Sequence, residues 1–269
     1  MGKDLITNLD EVVAIVRGRR TGMFFDIDGT LSPLVGTSDP AAAIISPRLR
    51  NALRDLSRIT YVALLTGRCV ADAYLIINLD GVTYSGNHGT EWYRDGKPWV
   101  VPEAEQYIAG IHQVAMDAWI ALADISGLSI EDKGLSLSMH YRLADDKSAA
   151  ELAIDTFISN HPVAQGLRRS AGKLVTELRP PIEINKGTVV ESLVTEFELG
   201  TVVMFGDDTT DVDAFITVQA LRETGLVAGV TVGVLSPDTP DVVRATVDYT
   251  LADTDATEEL VVRLVEELV

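Results

Sequence analysis

Short apolar runs recur along this chain, and several stop abruptly at polar or acidic residues. Met23 to Phe25 reads as a buried strand, since consecutive large apolar residues leave no face for water. Tyr61 to Leu65, Val82 to Tyr84, Val202 to Phe205, Val230 to Val234 and Val247 to Leu251 read the same way. Between them the spacing turns helical. Ser46-Pro47 has the form of an N-cap with proline at the first helical position, and Leu49, Leu53 and Leu56 follow at helical intervals. Residues 69–77 make a short helix. Glu258 to Leu268 makes a final amphipathic one, with Asp255 and Glu258 at its cap. Apolar strands separated by helices predict an α/β fold, a doubly wound parallel sheet covered on both faces. Ligands of such sheets sit at the carboxyl ends of strands, which is where Asp26, Thr66 and Asp207 fall.

The middle of the chain follows another rhythm. Residues 103–122 look helical, Leu135 to Tyr141 alternates like an exposed antiparallel strand, Lys147 to Ser159 is helical, and Lys173 to Leu178 is a strand. The expected division is a core of residues 1–91 and 181–269 with an inserted α+β unit at 92–180.

Charge narrows the partners. The 269 residues carry a formal net charge of −18, with no basic run to release counterions, which argues against nucleic acid. A negative field also repels an anionic substrate unless the site supplies its own cations. No apolar run approaches a membrane span, and the N-terminal Met1-Gly2-Lys3-Asp4 leads into no signal-peptide core. The single cysteine, Cys69, excludes an internal disulfide and fits a reducing cytoplasm. It reads as filler rather than a reactive thiol. The expectation is a cytoplasmic monomer acting on a small molecule. Lysine is scarce (Lys3, Lys97, Lys133, Lys147, Lys173 and Lys186), so a lysine inside a motif carries weight.

Four elements hold the chemistry. Asp26 and Asp28, spaced i and i+2, leave the first strand on one side, and two such carboxylates need a cation or a proton between them. Taken alone the pair is equally a solvated acidic turn. Thr66-Gly67 ends the second strand and offers a hydroxyl and backbone N–H groups to phosphate oxygens. Lys186 follows Asn185 at a predicted helix start and supplies a point charge. Gly206-Asp207-Asp208-Thr209-Thr210-Asp211 ends a further strand and adds three carboxylates. Hard oxygen ligands with room for water suit Mg²⁺.

In this order the motifs resemble the haloacid dehalogenase superfamily of aspartate-nucleophile phosphatases. Finer stretches are similar to trehalose-6-phosphate phosphatases: Ser85-Gly86-Asn87-His88-Gly89-Thr90-Glu91, His140-Tyr141-Arg142, Glu177-Leu178-Arg179-Pro180 with Asn185-Lys186-Gly187, and Gly206 through Phe215. Val212 and Thr90 depart from that family's usual Glu and Ala. The resemblance implies a Rossmann-like core with a cap, and Mg²⁺-dependent hydrolysis of trehalose 6-phosphate in trehalose biosynthesis. Asp26 would be the nucleophile and Asp28 the proton carrier. The metal would sit on Asp26, the Asp28 carbonyl and Asp207, with Asp208 or Asp211 in support. Thr66, Gly67 and Lys186 would hold the phosphoryl group. Asn87, His88, Glu91, Arg142, Lys173, Glu177 and Arg179 would surround the sugar. Tyr141 and Trp92 read as core, His140 leans to a structural role, and His112 and His161 have none. A phosphatase for another sugar phosphate, of sucrose or mannosylglycerate type, and a non-catalytic sugar-phosphate-binding regulator are the alternatives.

Overall fold

The computed structural model describes residues 2–34, 43–172 and 174–269. Its strands, in chain order, are β1 (Lys3–Asp4), β2 (Thr21–Phe25), β3 (Tyr61–Leu65), β4 (Thr83–Gly86), β5 (Glu91–Arg94), β6 (Lys97–Val100), β7 (Ser129–Asp132), β8 (Leu137–His140), β9 (Arg168–Gly172), β10 (Val175–Arg179), β11 (Thr201–Gly206), β12 (Ala228–Val234) and β13 (Tyr249–Leu251). They divide into two sheets, and the chain into two compact units, Met1–Trp99 with Ile184–Val269, and Val100–Glu183.

The first unit holds a nine-stranded sheet in the order β1-β13-β12-β11-β2-β3-β4-β5-β6. The pairs from β1 to β4 are parallel, and β5 runs antiparallel to β4. All five residues of β2 and all six of β11 are buried, so these strands have no solvent face and read as unbroken apolar runs. Met23, Phe25, Leu64, Val203, Phe205 and Val232 pack on one face with Leu49, Leu53, Leu260 and Leu264 from helices Pro47–Leu56 and Thr254–Leu268. Helix Val212–Glu223 packs against β11, β12 and helix Lys186–Glu196. The chain winds one way through β2, β3 and β4 and the other way through β11, β12 and β13. The switch point therefore lies between β2 and β11, and the crevice beyond their carboxyl ends is where such sheets bind ligands.

The second unit is a four-stranded antiparallel sheet, β7-β8-β10-β9, with helices Ile108–Ala121 and Lys147–Asn160. Its own core contains Ile111, Val114, Ala118, Leu137, Met139, Ile154 and Leu178.

Three features depart from expectation. The division falls after Trp99 rather than at Trp92, because Glu91–Arg94 pairs with β4 and extends the large sheet. The strand read as exposed, β8, is central: it lies between β7 and β10, and Ser136 and Ser138 are buried. The last helix starts at Thr254, not Glu258, because the Asp253 carboxylate accepts from the Ala256 N–H at 2.8 Å.

Candidate active site at the carboxyl ends of the central strands

Asp26 immediately follows β2. Its N–H donates to the Phe205 carbonyl at 3.0 Å, extending the ladder by one residue beyond the facing pair Phe25 and Phe205. Its carboxylate therefore stands one strand away from the end of β11, which Asp207 follows directly. Asp26 and Asp207 are both 5% exposed. The tight turn after Asp26 needs glycine at position 29. Gly29 has φ of +78°, and a Cβ there would lie 2.1 Å from Asp207 Oδ2. Thr30 Oγ1 donates to Asp207 Oδ1 at 3.4 Å.

Lys186 arrives from a different element. Asn185 caps helix Lys186–Glu196, accepting from the Thr188 N–H while Thr188 Oγ1 accepts from the Asn185 N–H. That cap fixes Lys186 at the first helical position with 2% of its surface exposed. Its ammonium donates to Asp26 Oδ1 at 2.7 Å and to Asp211 Oδ1 at 2.6 Å. The other Asp211 oxygen accepts from the N–H groups of Asp207 and Asp208, at 3.0 and 3.1 Å. Asp211 is fully buried and receives three donors, so it organises the loop that carries Asp207. Asp208 is exposed and lies outside this cluster.

The charges do not balance within the protein. Asp26, Asp207 and Asp211 each present a carboxylate oxygen, all within 4.8 Å of one another, against one lysine. Burial therefore pushes the Asp26 carboxyl up to about 8, with Lys186 opposing and Asp211 and Asp28 adding to the rise. Burial likewise pushes Asp207 up to about 9, with Asp26 and Asp211 contributing. Burial alone would depress the Lys186 ammonium, but Asp211 and Asp26 outweigh it and hold it above its ordinary value. An all-oxygen donor set with surplus negative charge in a buried pocket fits a hard divalent cation.

Asp28 stands apart from the lysine. It forms a two-pronged ion pair with Arg68, Nε to Oδ2 at 2.6 Å and Nη2 to Oδ1 at 2.7 Å. Arg68 is the site residue to which the sequence reading gave no role, although the Thr66-Gly67-Arg68 motif contains it. Thr66 is buried at the end of β3, with its N–H on the Ser85 carbonyl and its carbonyl on the His88 N–H. Gly67 leaves no room for a side chain, since a Cβ would sit 2.6 Å from His88 Cε1.

The residues expected around the sugar fall into two groups. Asn87, His88 and Glu91 belong to the first unit, beside the Thr66–Arg68 turn. Asn87 Nδ2 and the Val70 N–H both donate to Glu91 Oε2, at 2.9 Å each. In the second unit, β8 pairs Ser138 with Glu131 and with Glu177, and β9 pairs Ser170 with Glu177, forming a polar row across the sheet. Glu177 sits 3.4 Å from Lys133 Nζ and 3.5 Å from Arg179 Nε, and His140 meets Glu131 at 2.9 Å. Among the described residues, buried Arg179 Nε has this ion pair with Glu177 and no hydrogen-bond partner. Arg142 is exposed in the turn after β8. Lys173 lies outside the described residues.

This arrangement, with two acidic strand ends at a switch point and a buried lysine bridging Asp26 and Asp211, lies within the segment matched by a family model for trehalose-phosphatases, residues 24–241. The chain belongs to the trehalose-phosphatase family. It is an enzyme of that family, a phosphatase with the haloacid dehalogenase fold. Among its relatives, a probable trehalose-phosphate phosphatase of Arabidopsis thaliana is 30% identical over 96% of this chain and 70% of its own length. One of Oryza sativa subsp. japonica is 30% identical over 97% and 70%. The solved C-terminal domain of the C. albicans trehalose-6-phosphate phosphatase superposes with a TM-score of 0.76, at 25% identity over 99% of both chains. Among the described residues, no helix is long and apolar enough to cross a membrane.

Proposed function

We propose that this phosphatase hydrolyses trehalose 6-phosphate to trehalose and inorganic phosphate, with Asp26 as nucleophile. The observation that carries this reading is the buried Asp26 carboxylate held at 2.7 Å by Lys186, at a strand end that Asp207 adjoins. An Asp26 oxygen attacks phosphorus, the bond from phosphorus to the sugar oxygen breaks, and an aspartyl phosphate remains. Asp28 gives a proton to the departing sugar oxygen. It then takes one from the water that attacks the aspartyl phosphate, and phosphate leaves Asp26. Asp28 must slacken its pair with Arg68 to do this, so Arg68 belongs to the same machinery.

Lys186, the Thr66 hydroxyl and the Gly67 position would hold the phosphoryl oxygens. Asp26 and Asp207 are the carboxylates best placed to hold Mg²⁺, because both Asp211 oxygens already accept from Lys186 or from backbone amides. Mg²⁺ would supply further positive charge to phosphoryl oxygens, which an enzyme of net charge −18 needs for an anionic substrate. The second unit, in this reading, is the cap that supplies sugar contacts through Glu177 and Arg179.

Phosphate release from a panel of sugar phosphates, with and without Mg²⁺, tests the reading. Trehalose 6-phosphate should lead, and chelation should stop turnover. Comparable turnover of glucose 6-phosphate would remove the trehalose assignment, and an active Asp26→Asn variant would remove the nucleophile.

A further inference from the structure

We propose that Glu91, acting with Asn87, positions the Thr66–Arg68 loop and does not touch the sugar; this rests on the phosphatase reading of that loop. Helix Val70–Ile77 begins directly after the loop, and its first N–H groups need acceptors. The preceding Cys69 side chain does not accept the Val70 N–H. Glu91 Oε2 takes the Val70 N–H instead, placing a carboxylate at a helix N-terminus, where negative charge is favoured.

The same oxygen accepts from Asn87 Nδ2. Asn87 in turn donates its backbone N–H to the Arg68 carbonyl at 2.7 Å, and His88 donates to the Thr66 carbonyl at 3.0 Å. Asn87 and His88 both have positive φ, +47° and +58°, a conformation that non-glycine residues keep only where their surroundings enforce it. The Asn87 side-chain bond to Glu91 is such a restraint. Glycines let the two turns close on each other: a Cβ at Gly86 would lie 2.8 Å from the Arg68 carbonyl. One carboxylate oxygen thus ties both flanks of the loop, the helix start at Val70 and the strained turn at Asn87. The loop presents Thr66, and its Arg68 guanidinium grips Asp28. Both Glu91 contacts are internal, and Asn87 is 2% exposed.

A sugar contact and a loop support make different demands on substrate, so kinetics with two esters separate them. One ester is trehalose 6-phosphate. The other is p-nitrophenyl phosphate, which has no sugar. Glu91→Ala should lower kcat about tenfold or more on both esters by the same factor, as expected when a charge-assisted hydrogen bond that orients reacting groups is lost. Asn87→Gly accommodates the positive φ and should give a similar equal loss. The double variant should be little worse than either single one, because both break one unit. Glu91→Gln should recover most of the rate, since one amide oxygen accepts both N–H groups.

A loss confined to trehalose 6-phosphate, seen as a raised KM with p-nitrophenyl phosphate turnover intact, would overturn the proposal in favour of a sugar contact. Unchanged rates on both esters would overturn it outright. Should Glu91→Ala fail to fold, Asn87→Gly carries the same comparison. A wild-type enzyme that turns over only the aryl ester would defeat the trehalose assignment and leave the loop comparison intact, whereas one inert to both esters defeats both.

Discussion

Lys186→Met isolates the charge at the centre of the site. Methionine keeps most of the apolar stem and removes the ammonium that bridges Asp26 and Asp211 at 2.7 and 2.6 Å. All three side chains are at least nine-tenths buried, so water cannot replace the lost partner. Removing one member of a buried ion pair costs about 3–5 kcal/mol, because it leaves uncompensated charge behind. For a chain of this size that lowers the melting temperature of the first unit by roughly 6–20 °C. Two conditions should shrink the deficit. Saturating Mg²⁺, if the carboxylates hold it as proposed, should stabilise the folded state and restore positive charge. Acidification should do so by protonating the site carboxylates, whose protonated forms burial already favours. Calorimetry of both proteins at pH 5 and pH 8, with and without Mg²⁺, reads all of this, and phosphate release should fall to background. A variant whose melt at pH 8 without metal matches wild type within about 2 °C would refute the account, since no such carboxylate repulsion would then exist.

Gly29→Ala should destabilise the first unit by about 2–4 kcal/mol, combining a positive φ with a Cβ driven against Asp207, and should raise the Mg²⁺ concentration needed for half-maximal activity. Titration of the metal-free wild type gives another check. Asp26 and Asp207 have raised folded pKa values, so their favourable contribution is complete below about pH 4 and is lost as pH climbs through 8 to 9. Its melting temperature should therefore fall across that window more steeply than with Mg²⁺ present, and parallel curves would contradict the charge surplus. Glu177→Ala should raise KM for trehalose 6-phosphate about tenfold or more and spare p-nitrophenyl phosphate, the reverse of the Glu91 pattern; an equal loss on both esters would remove its sugar role.

The parts of the fold legible in the sequence are those whose burial is uniform along the element. Strands β2, β3 and β11 are buried on both faces, so their apolar runs and abrupt acidic or glycine ends stand out. Segments whose environment is mixed were harder to read. Strand β5, with Glu91 and Arg94 flanking Trp92 and Tyr93, looks like the start of a separate unit, yet its backbone pairs with β4. Serines at 136 and 138 suggest solvent, but both are buried, Ser138 within a polar row of the smaller sheet. At the site, residue types at strand ends were legible because chemistry and position coincide. Partnerships were not. The pairing of Asp28 with Arg68, and of Glu91 with Val70 and Asn87, depends on two positive-φ residues and on glycines whose missing side chains admit a neighbour.

The Asp26 N–H on the Phe205 carbonyl has a further consequence. The gap between Asp26 and the strand end that carries Asp207 is one inter-strand step, about 4.8 Å, a length set by backbone pairing and not by any loop. The two carboxylates are thus mounted on a ruler as stiff as the centre of the sheet. Hydrogen exchange at the Asp26 amide should then proceed only through global opening of the first unit.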